Sequence, residues 1–342
     1  MNRRWMGLLL AGLMLVSGFA AAESEPAEAA ADETAPVETA APVVPVIDLP
    51  ALEEGQIVEF PVEQKIKKNA TAPHEDCYLY ADGDTEMKDA TGYADPSITV
   101  SIGRGRAYDT DYVYARVKIA NASQMRTLMA SPLGNLNTTP AHELAKRVKA
   151  VVAINGDYPG GDKRTKRTKG VVMRQKKLLR QKCDGKYDIL VIDKNGDMHI
   201  LVKAKDEDVT PWLEDAVNIF TFGPALVIDG KPNYEFDHEL NVGPNKSVQR
   251  MAFCQTGPLE YLMLTCEGPE NEGSVGMTID QLISVVSSIP GVQNAYNLDG
   301  GSSSAIVFRR EGKNWKKINA TSSPKVQQLK DIIYFVSAWD RK

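Results

Sequence analysis

The sequence predicts an α+β fold, in which mixed, mostly antiparallel β-sheets with packed helices form a single domain. Its 342 residues are 43% hydrophobic and 25% charged, a globular composition that suffices for a large buried core. From residue 99 onward, short segments alternate apolar and polar residues, which is typical of half-buried strands. Two segments with apolar residues at helical spacing lie between these strands, and each follows an N-cap signal.

Residues 1–22 have the three parts of a secretory signal peptide. Two arginines form a basic start, an apolar stretch follows, and the alanines at positions 20–22 provide a cleavage site. The apolar stretch is too short to span a bilayer comfortably, although an uncleaved anchor is the alternative. We therefore expect a secreted or periplasmic protein that meets a membrane only through this segment.

Residues 23–60 are interpreted as an acidic tether. This segment is rich in Ala, Pro and Glu, and it holds ten acidic residues and no Lys or Arg, so it should be extended and disordered. The net charge of −5 arises from this tether. The domain predicted for residues 61–342 is therefore mildly basic.

Four cysteines in an exported chain permit three pairings. In the hairpin predicted below, Cys254 faces Leu262, which places Cys266 beyond disulfide reach of Cys254. Cys77 or Cys183 is therefore the favoured partner for either. No cysteine or histidine spacing typical of a zinc site occurs.

The first strands are predicted at residues 99–102 and 112–119. A helix should follow, with Thr139 as its N-cap and Pro140 in its first turn. It leads into an apolar strand at residues 150–154. The polar loop behind that strand reads Asn155-Gly156-Asp157-Tyr158.

Residues 162–186 carry eleven Lys and Arg side chains. Charge runs of this kind are usually a solvated surface. The functional alternative is attraction of an anionic substrate or an acidic cell-surface polymer. Nucleic acid is not expected, because interleaved aromatic residues and known docking motifs are missing from the sequence.

Closely spaced acids at residues 193–197 resemble part of a calcium loop. The twelve-residue pattern fails after Asp197, however, and Asn195-Gly196 is a strong hairpin signal. We predict a turn between two strands here.

A second hairpin is predicted from residues 249–254 and 261–266, with Arg250 at the start of its first strand. Arg250 is either a surface residue or a bidentate phosphate ligand. Thr278 and Gln281 form a capping box for a helix that ends at Pro290-Gly291. This helix leads to the strand before Asp299, and a last strand at residues 331–336 closes the domain.

The densest chemistry lies in the loop at residues 297–304, Asn-Leu-Asp-Gly-Gly-Ser-Ser-Ser. Consecutive glycines leave backbone N–H groups accessible to an anionic oxygen, and each hydroxyl both donates and accepts. Asp-Gly between two strands is also a hairpin signal. A tight hairpin has no use for a carboxylate, a carboxamide and three hydroxyls together, so we favour a polar loop at the lip of a sheet.

These motifs together resemble the phosphodiester glycosidase family. The matching segments occur in family order between about residues 96 and 338, at residues 153–158, 170–172, 222–226, 250, 276–278 and 295–303. Two departures stand out. The family often has a third glycine where this chain has Ser302, and often Phe-Phe where this chain has Asp157-Tyr158.

The resemblance implies a single catalytic domain that hydrolyses sugar-1-phosphodiesters in cell-envelope or exopolysaccharide metabolism. Catalysis would fall to Asp299, Asp157 and Asn155, through proton transfer or nucleophilic attack. No cofactor is implied. The groups that would bind the phosphate and the sugar are Arg250, Asn297, Gly300, Gly301, Ser302, Ser303, Tyr158 and Thr278.

Two alternatives remain open from the sequence. One is a non-catalytic envelope protein that binds anionic polysaccharide through the same loop and the basic segment. The other is a phosphodiesterase with a divalent metal at Asp157 and Asp299, although no ligand spacing indicates one. A zinc protease or an ordinary esterase is disfavoured, because neither HExxH nor GxSxG occurs.

Overall fold

The computed structural model describes residues 49–62, 73–81, 89–135, 137–160, 169–236, 243–310, 314–320 and 328–340. All of them belong to one compact unit, residues 41–342. The predicted signal segment and most of the predicted tether lie outside the described residues. Within the described ranges, no helix is long and apolar enough to cross a membrane.

The described chain is built mainly from strands. Its strands and α-helices, in chain order, are β1 (Tyr78–Leu79), β2 (Gly92–Asp95), β3 (Ile98–Ala107), β4 (Thr110–Ile119), β5 (Met125–Met129), β6 (Thr139–Pro140), α1 (Ala141–Val148), β7 (Val152–Asn155), β8 (Val172–Arg174), β9 (Lys177–Arg180), β10 (Ile189–Asp193), β11 (Met198–Leu201), α2 (Asp206–Val209), β12 (Ala216–Phe220), β13 (Ala225–Ile228), β14 (Lys231–Pro232), β15 (Met251–Gly257), β16 (Glu260–Cys266), α3 (Ile279–Ser287), β17 (Asn294–Leu298), β18 (Ile306–Arg310), β19 (Asn314–Lys317), β20 (Gln328–Leu329) and β21 (Asp331–Phe335). Short 3₁₀ turns lie at Glu75–Cys77, Ala122–Gln124, Thr210–Trp212 and Gly301–Ser303.

The strands form three larger sheets and one two-stranded ribbon. The nine-stranded sheet has the order β1-β2-β3-β4-β16-β15-β17-β13-β14. The two five-stranded sheets are β11-β10-β12-β8-β9, here the β10 sheet, and β19-β18-β7-β21-β5, here the β7 sheet. Every strand pairing in the described residues is antiparallel. The prediction of mostly antiparallel sheets is thus confirmed, whereas the α+β class and the mixed sheets are not, since the described chain is mostly β.

The nine-stranded sheet is buried on both faces. On one face, Cys254 and Leu264 pack against Leu282 and Val286 of α3. On the other face, residues such as Phe253 share one core with residues of both five-stranded sheets. Two-sided burial explains why its central strands are nearly continuous apolar runs.

The first helix begins one residue later than predicted. Thr139 pairs with Leu329 in the two-stranded ribbon, and Pro140 is the N-cap residue of α1. The apolar stripe of α1 nevertheless packs as expected, with Leu144 and Ala145 against the β7 sheet. Pairing with a strand that is distant in sequence therefore places Thr139 in the ribbon, although local sequence preference assigns it to the N-cap of α1.

The two predicted hairpins and the capped helix are confirmed. Asn195-Gly196 connects β10 to β11, and Ile192 pairs with Met198 on its two sides. Cys254 pairs with Leu262, as the register predicted. Thr278 caps α3 in a capping box with Gln281.

The predicted disulfides are not formed, since none of the four cysteines is joined to another by a disulfide bond. Cys254 and Cys266 lie in the core beneath α3. Cys77 packs against the core shared by the three sheets, and Cys183 against a separate core of the β10 sheet. The expected partners are thus held in different layers of the fold.

The chain joins the domain before residue 61. Val58 N donates to Ala338 O at 2.8 Å, and Asp340 N donates to Gln56 O at 2.9 Å. Phe60 is buried against the β7 sheet layer. The end of the predicted tether is therefore docked on the domain.

Candidate active site

The two polar loops predicted from the sequence meet in space. Asn155 Nδ2 donates to Asp299 O at 2.8 Å, and Asp299 N donates to Gly156 O at 3.3 Å. One loop follows β7, a strand of the β7 sheet, and the other follows β17, a strand of the nine-stranded sheet. The loops therefore meet between two sheets, rather than at one edge of a single sheet.

Asn155 is a connector between these loops. Its side chain is almost fully buried, and Nδ2 also donates to Gly156 O at 3.0 Å. Its Oδ1 accepts from Ala305 N at 3.0 Å. Backbone groups therefore occupy its carboxamide, which corrects the prediction that Asn155 acts on the substrate or on the attacking water.

Asp157 lies in a buried ion network. Its carboxylate is 0% exposed and accepts from Arg174 Nη2 at 2.5 Å and from Thr221 N at 2.7 Å. The same guanidinium holds Asp331 through Nη2 at 2.7 Å and Nε at 3.0 Å. Because Asp157 is sealed from solvent, it does not supply the catalytic carboxylate that the sequence predicted.

Arg174 belongs to the basic segment, residues 162–186, but its side chain is buried and does not contribute to a solvated surface. Its side chain is 5% exposed, and its guanidinium lies over the Phe220 ring with 4.1 Å from Cζ to the ring centre. Lys177, three residues on, is exposed as a solvated surface would be. Residues 162–168 of the segment lie outside the described residues.

Asp331 was missed by the sequence analysis, which treated it as the first residue of a closing strand. Burial raises its pKa to about 6, with Arg174 opposing this shift and the negative charges of Asp157 and Asp299 adding to it. The available signal was a lone carboxylate directly before four apolar residues. A strand start of that kind is rarely buried unless its charge is paired.

Asp299 is the accessible carboxylate of this group. Asp157 and Asp331 are buried, whereas Asp299 is partly exposed beyond the end of β17. Its charge is near enough to raise the pKa of Asp331. Among the described residues, the site therefore has one solvent-reachable carboxylate next to a buried pair that is held by Arg174.

The glycine and serine residues after Asp299 form a short 3₁₀ turn. Gly301 N donates to Gln249 O at 2.8 Å, so this N–H group is not part of an anion cradle as predicted. The N–H groups of Gly300 and Ser302 have no acceptor within the described residues. A Cβ on Gly300 would lie 2.8 Å from Gln249 O, so this close backbone approach requires glycine.

Ser302 is exposed and Ser303 is half-buried, so both hydroxyls can reach a ligand. They stand beside the Gly300 and Ser302 N–H groups on the same turn. This arrangement offers several donors to an anionic oxygen next to the Asp299 carboxylate.

Three buried polar atoms around this turn lack a hydrogen-bond partner in the part of the chain that the structure describes. They are Asn297 Oδ1, Ser304 Oγ and Gln249 Nε2. Asn297 is otherwise fixed, since its Nδ2 donates to Gly223 O at 2.7 Å. Unpaired buried polar groups cost about 1–3 kcal/mol each, so a ligand that pairs with these three atoms would recover that cost.

Arg250 differs from the predicted phosphate clamp. Its Nε donates to Met277 O at 3.1 Å, and its Nη2 donates to Gly243 O at 2.6 Å and Lys246 O at 2.8 Å. Burial lowers the pKa of its guanidinium. Two of its three nitrogens thus fasten neighbouring loops, which rules out a two-pronged grip on phosphate.

Thr278 and Tyr158, the last two predicted substrate contacts, differ in their surroundings. Thr278 Oγ1 accepts from Gln281 N at 3.2 Å as the cap of α3, so its hydroxyl serves the helix. Tyr158 is half-buried in the loop after Asp157, with a left-handed backbone at φ 51°. Its position beside the site fits the predicted contact with substrate.

No group of three metal-ligating side chains occurs in the described residues. His199, for example, lies 3.1 Å from Asp193 Oδ2 and packs on the Trp212 ring. It belongs to the β10 sheet layer, away from the motifs of the two loops.

Comparisons with known proteins place this geometry in a family. The sequence profile of the phosphodiester glycosidase family matches residues 148–336. Among curated proteins, no sequence matches the chain. Since the matched residues cover more than half of the chain, they establish family membership and not only a shared fold.

Two solved structures show the same fold. One is the catalytic domain of the zebrafish N-acetylglucosamine-1-phosphodiester alpha-N-acetylglucosaminidase, auto-inhibited by its pro-peptide; it is 16% identical, with 82% of this chain and 99% of that chain covered and a TM-score of 0.56. The other is a hypothetical protein from Synechocystis, 13% identical, with 71% and 62% covered and a TM-score of 0.51. Both polar loops, Arg174 and Asp331 fall inside the matched profile, and the chain belongs to the phosphodiester glycosidase family of hydrolases.

Proposed function

We propose that the protein is an exported hydrolase of sugar-1-phosphodiesters and that Asp299 is its principal catalytic group. The observation that carries the proposal is the place of Asp299, where two polar loops meet and where it is the accessible carboxylate. The zebrafish protein of the same fold, an N-acetylglucosamine-1-phosphodiester alpha-N-acetylglucosaminidase, supports this substrate class.

The chemistry is an addition of water across the phosphodiester of a sugar C1 hydroxyl. Attack at C1 yields the free sugar and a phosphomonoester, whereas attack at phosphorus yields the sugar phosphate and an alcohol. In either case Asp299 would take the proton of the attacking water. For cleavage at C1 it could instead attack C1 itself and expel the phosphomonoester, and water would then hydrolyse the glycosyl ester to release the sugar. A mechanism with Asp157 as the second carboxylate is not part of the proposal, because Asp157 is buried and paired to Arg174.

The substrate's phosphate would lie on the turn at Gly301–Ser303. The Gly300 and Ser302 N–H groups and the Ser302 and Ser303 hydroxyls can donate to its non-bridging oxygens. Asn297 Oδ1, a buried acceptor without a partner in the described residues, suits a sugar hydroxyl. This division gives each group a separate role in holding the substrate.

The decisive experiment is product analysis with a panel of sugar-1-phosphate diesters. We expect turnover by the wild-type protein, and a loss of at least a thousandfold in kcat for Asp299→Asn, since both proton transfer and nucleophilic attack require the carboxylate. Asp280→Asn, which neutralises an exposed carboxylate on α3, is the matched control and should keep full activity. The released product, sugar or sugar phosphate, identifies the bond that breaks.

Full activity in Asp299→Asn would refute the catalytic assignment. Chelator should leave the rate unchanged, and a chelator-sensitive rate would favour the metal-dependent alternative. Binding of anionic polysaccharide without turnover of any diester would favour the non-catalytic alternative.

Export and a role in cell-envelope or exopolysaccharide metabolism are part of the proposal. They rest on the signal-like residues 1–22 and the acidic segment behind them. Fractionation of producing cells, with determination of the mature N-terminus, tests export. Recovery of the uncleaved chain in the cytoplasm would contradict it.

A further inference from the structure

A cavity of about 780 Å³ lies beside the active-site turn. It is lined by Arg104 of β3, by Glu267 directly after β16, and by Lys317 and Asn319 at the end of β19. None of these residues belongs to the site described above. Its volume is sufficient for a monosaccharide with a charged substituent.

Lys317 offers an uncommitted cation to this cavity. Burial lowers its pKa to about 8, and its ammonium group makes no hydrogen bond or close ion pair with the described residues. An ammonium group has three donors, and a partly buried one gains most from an anion that can accept them.

The nearby carboxylate of Glu267 is already in use. Its Oε1 accepts from Ala320 N at 2.7 Å, and its Oε2 accepts from Asn271 Nδ2 at 3.0 Å. Arg104 lies on the same wall, where its Nη2 donates to Ile318 O at 2.9 Å, and the residue is exposed. Two cationic groups thus line the cavity beside this buried acid, whose charge interacts with both of them while its oxygens accept from a backbone and an amide donor.

The charges around the cavity nearly cancel. Arg104, Arg106 and Lys317 are balanced by Asp111, Glu267 and Glu272. Arg106 is itself paired to Asp111 at 2.9 Å. A balanced wall favours a single anionic group that is accompanied by hydroxyls over a dense polyanion.

The cavity is joined to the catalytic turn by two direct links. Asn319 Nδ2 donates to Ser304 O at 3.1 Å, immediately after the turn. On the other side, Gly268 packs so closely on the Gln249 side chain that a Cβ would lie 2.5 Å from Gln249 Cδ, and Gln249 O holds Gly301 N. A ligand in the cavity is therefore within reach of a substrate that extends from Asp299.

We propose that this cavity is a subsite for an anionic group, a phosphate or a carboxylate, on a sugar of the substrate remote from the bond that is hydrolysed, with Lys317 and Arg104 as its ligands. This inference rests on the proposed function. It makes the preferred substrate an extended anionic saccharide diester, in contrast to a small sugar-1-phosphodiester.

The direct test measures the rate at which an amine-reactive reagent modifies Lys317 in the wild-type protein, by peptide mass spectrometry. Inorganic phosphate and glucuronate are the two probes, and they distinguish a phosphate subsite from a carboxylate subsite. We expect at least one of them to slow modification of Lys317 several-fold, while exposed Lys177 is unaffected. Equal rates at Lys317 with and without both probes would overturn the subsite, whatever the enzyme's turnover.

The kinetic test compares Lys317→Met with Lys177→Met on two diesters, one with and one without a second anionic group. We expect Lys317→Met to raise KM about tenfold for the doubly anionic diester, as loss of one charge-assisted hydrogen bond requires. The kcat values and the KM for the small diester should stay unchanged. Lys317→Arg keeps the charge and should retain most of the affinity, whereas equal KM changes for both diesters would contradict the subsite.

The two failures can be told apart. If no diester is turned over but probe protection of Lys317 is seen, the proposed function fails and the anion subsite stands. If diesters are turned over but neither protection nor a selective KM effect occurs, the subsite fails and the catalytic assignment stands.

Discussion

Arg174 shows how one side chain organises the site. It supplies hydrogen bonds to two carboxylates that have lost their water, and it rests on the Phe220 ring. Such a network stabilises only while every member is paired, because each buried charge carries a large desolvation cost. Its role is to hold in place the buried Asp157 and Asp331 carboxylates that lie next to Asp299.

Removal of the Arg174 charge should be strongly destabilising. We expect Arg174→Met to lower the free energy of unfolding by about 3–5 kcal/mol, because Asp157 and Asp331 would remain buried without their partner. Urea denaturation at neutral pH measures this. Lys177→Met, at an exposed position of β9, is the control and should change stability by less than about 0.5 kcal/mol. A loss below about 1 kcal/mol in Arg174→Met would show that the network is not needed for folding.

Asp331 should make stability depend on pH in a defined direction. Its pKa in the folded protein, about 6, lies above its ordinary value of 3.8, so the folded state holds this proton more tightly. The resulting stabilisation is fully present below about pH 4 and is lost as the pH rises through about 6. It amounts to about 3 kcal/mol at most.

The comparison of wild type with Asp331→Asn isolates this effect. The wild-type advantage in free energy of unfolding should fall between pH 4 and pH 7, as followed by denaturation at several pH values. An advantage that grows over the same range would mean that the pKa of Asp331 is depressed in the folded state.

At the scale of elements, the site is assembled where strands end. The loop after β7, the end of β8 and the loop after β17 come from the three different larger sheets. Gly156 lets the first of these loops pass directly over Asp331. The position of Asp299 therefore depends on how closely these strand ends can approach.

Gly156→Ala tests that approach. An added Cβ would lie 2.2 Å from Asp331 Oδ1, so the loop or the buried carboxylate must move. We expect a loss of at least about 2 kcal/mol in stability together with reduced kcat. In Gly257→Ala the nearest atom is Glu260 Oε2 at 3.5 Å, so this control should be close to wild type in both measurements.

Substitution of Thr278, the N-cap residue of α3, tests whether its hydroxyl has a structural role or a substrate-binding role. Thr278→Ala should cost about 1 kcal/mol in unfolding free energy, because the Gln281 N–H loses its acceptor, while KM and kcat stay unchanged. Thr278→Ser keeps the hydroxyl and should restore most of the stability. A KM that is raised in Thr278→Ala and restored in Thr278→Ser would instead support the prediction that Thr278 binds substrate.

At the scale of the whole molecule, the segment before the domain helps to close it. Arg126, which is 1% exposed, donates from Nη2 to Pro61 O and Val62 O at 3.2 Å each. Phe60 N donates to Ser123 Oγ at 2.9 Å, and its ring is buried beside α1 and the β7 sheet. The fold therefore includes residues that composition alone assigns to a tether.

Phe60→Ala should lower the free energy of unfolding by about 3 kcal/mol, since it empties a buried position. Val58, two residues earlier, is 37% exposed, and Val58→Ala should cost much less. Thermal or urea denaturation of both variants checks this. Equal, small effects would mean that the docked segment does not contribute to stability.

Several features could be predicted because their causes are local. The β10–β11 turn follows from Asn195-Gly196, the α3 cap from Thr278 and Gln281, and the polar loop from the glycines after Asp299. Each depends on residues a few positions apart. The helix start at Thr139 was missed by one residue because a distant strand, β20, pairs with it.

The sequence by itself determined the alternating strands, the two loops, the family to which they point and Asp299 as the principal catalytic candidate. Tertiary structure alone decided that Asp157 is buried, that Arg174 leaves the basic surface to bind it, and that Asp331 completes the network. It also committed Arg250 to carbonyl groups and left the four thiols apart. Burial and ion pairing join residues as distant as Arg174 and Asp331, which are 157 positions apart, and no local pattern encodes which charges will meet.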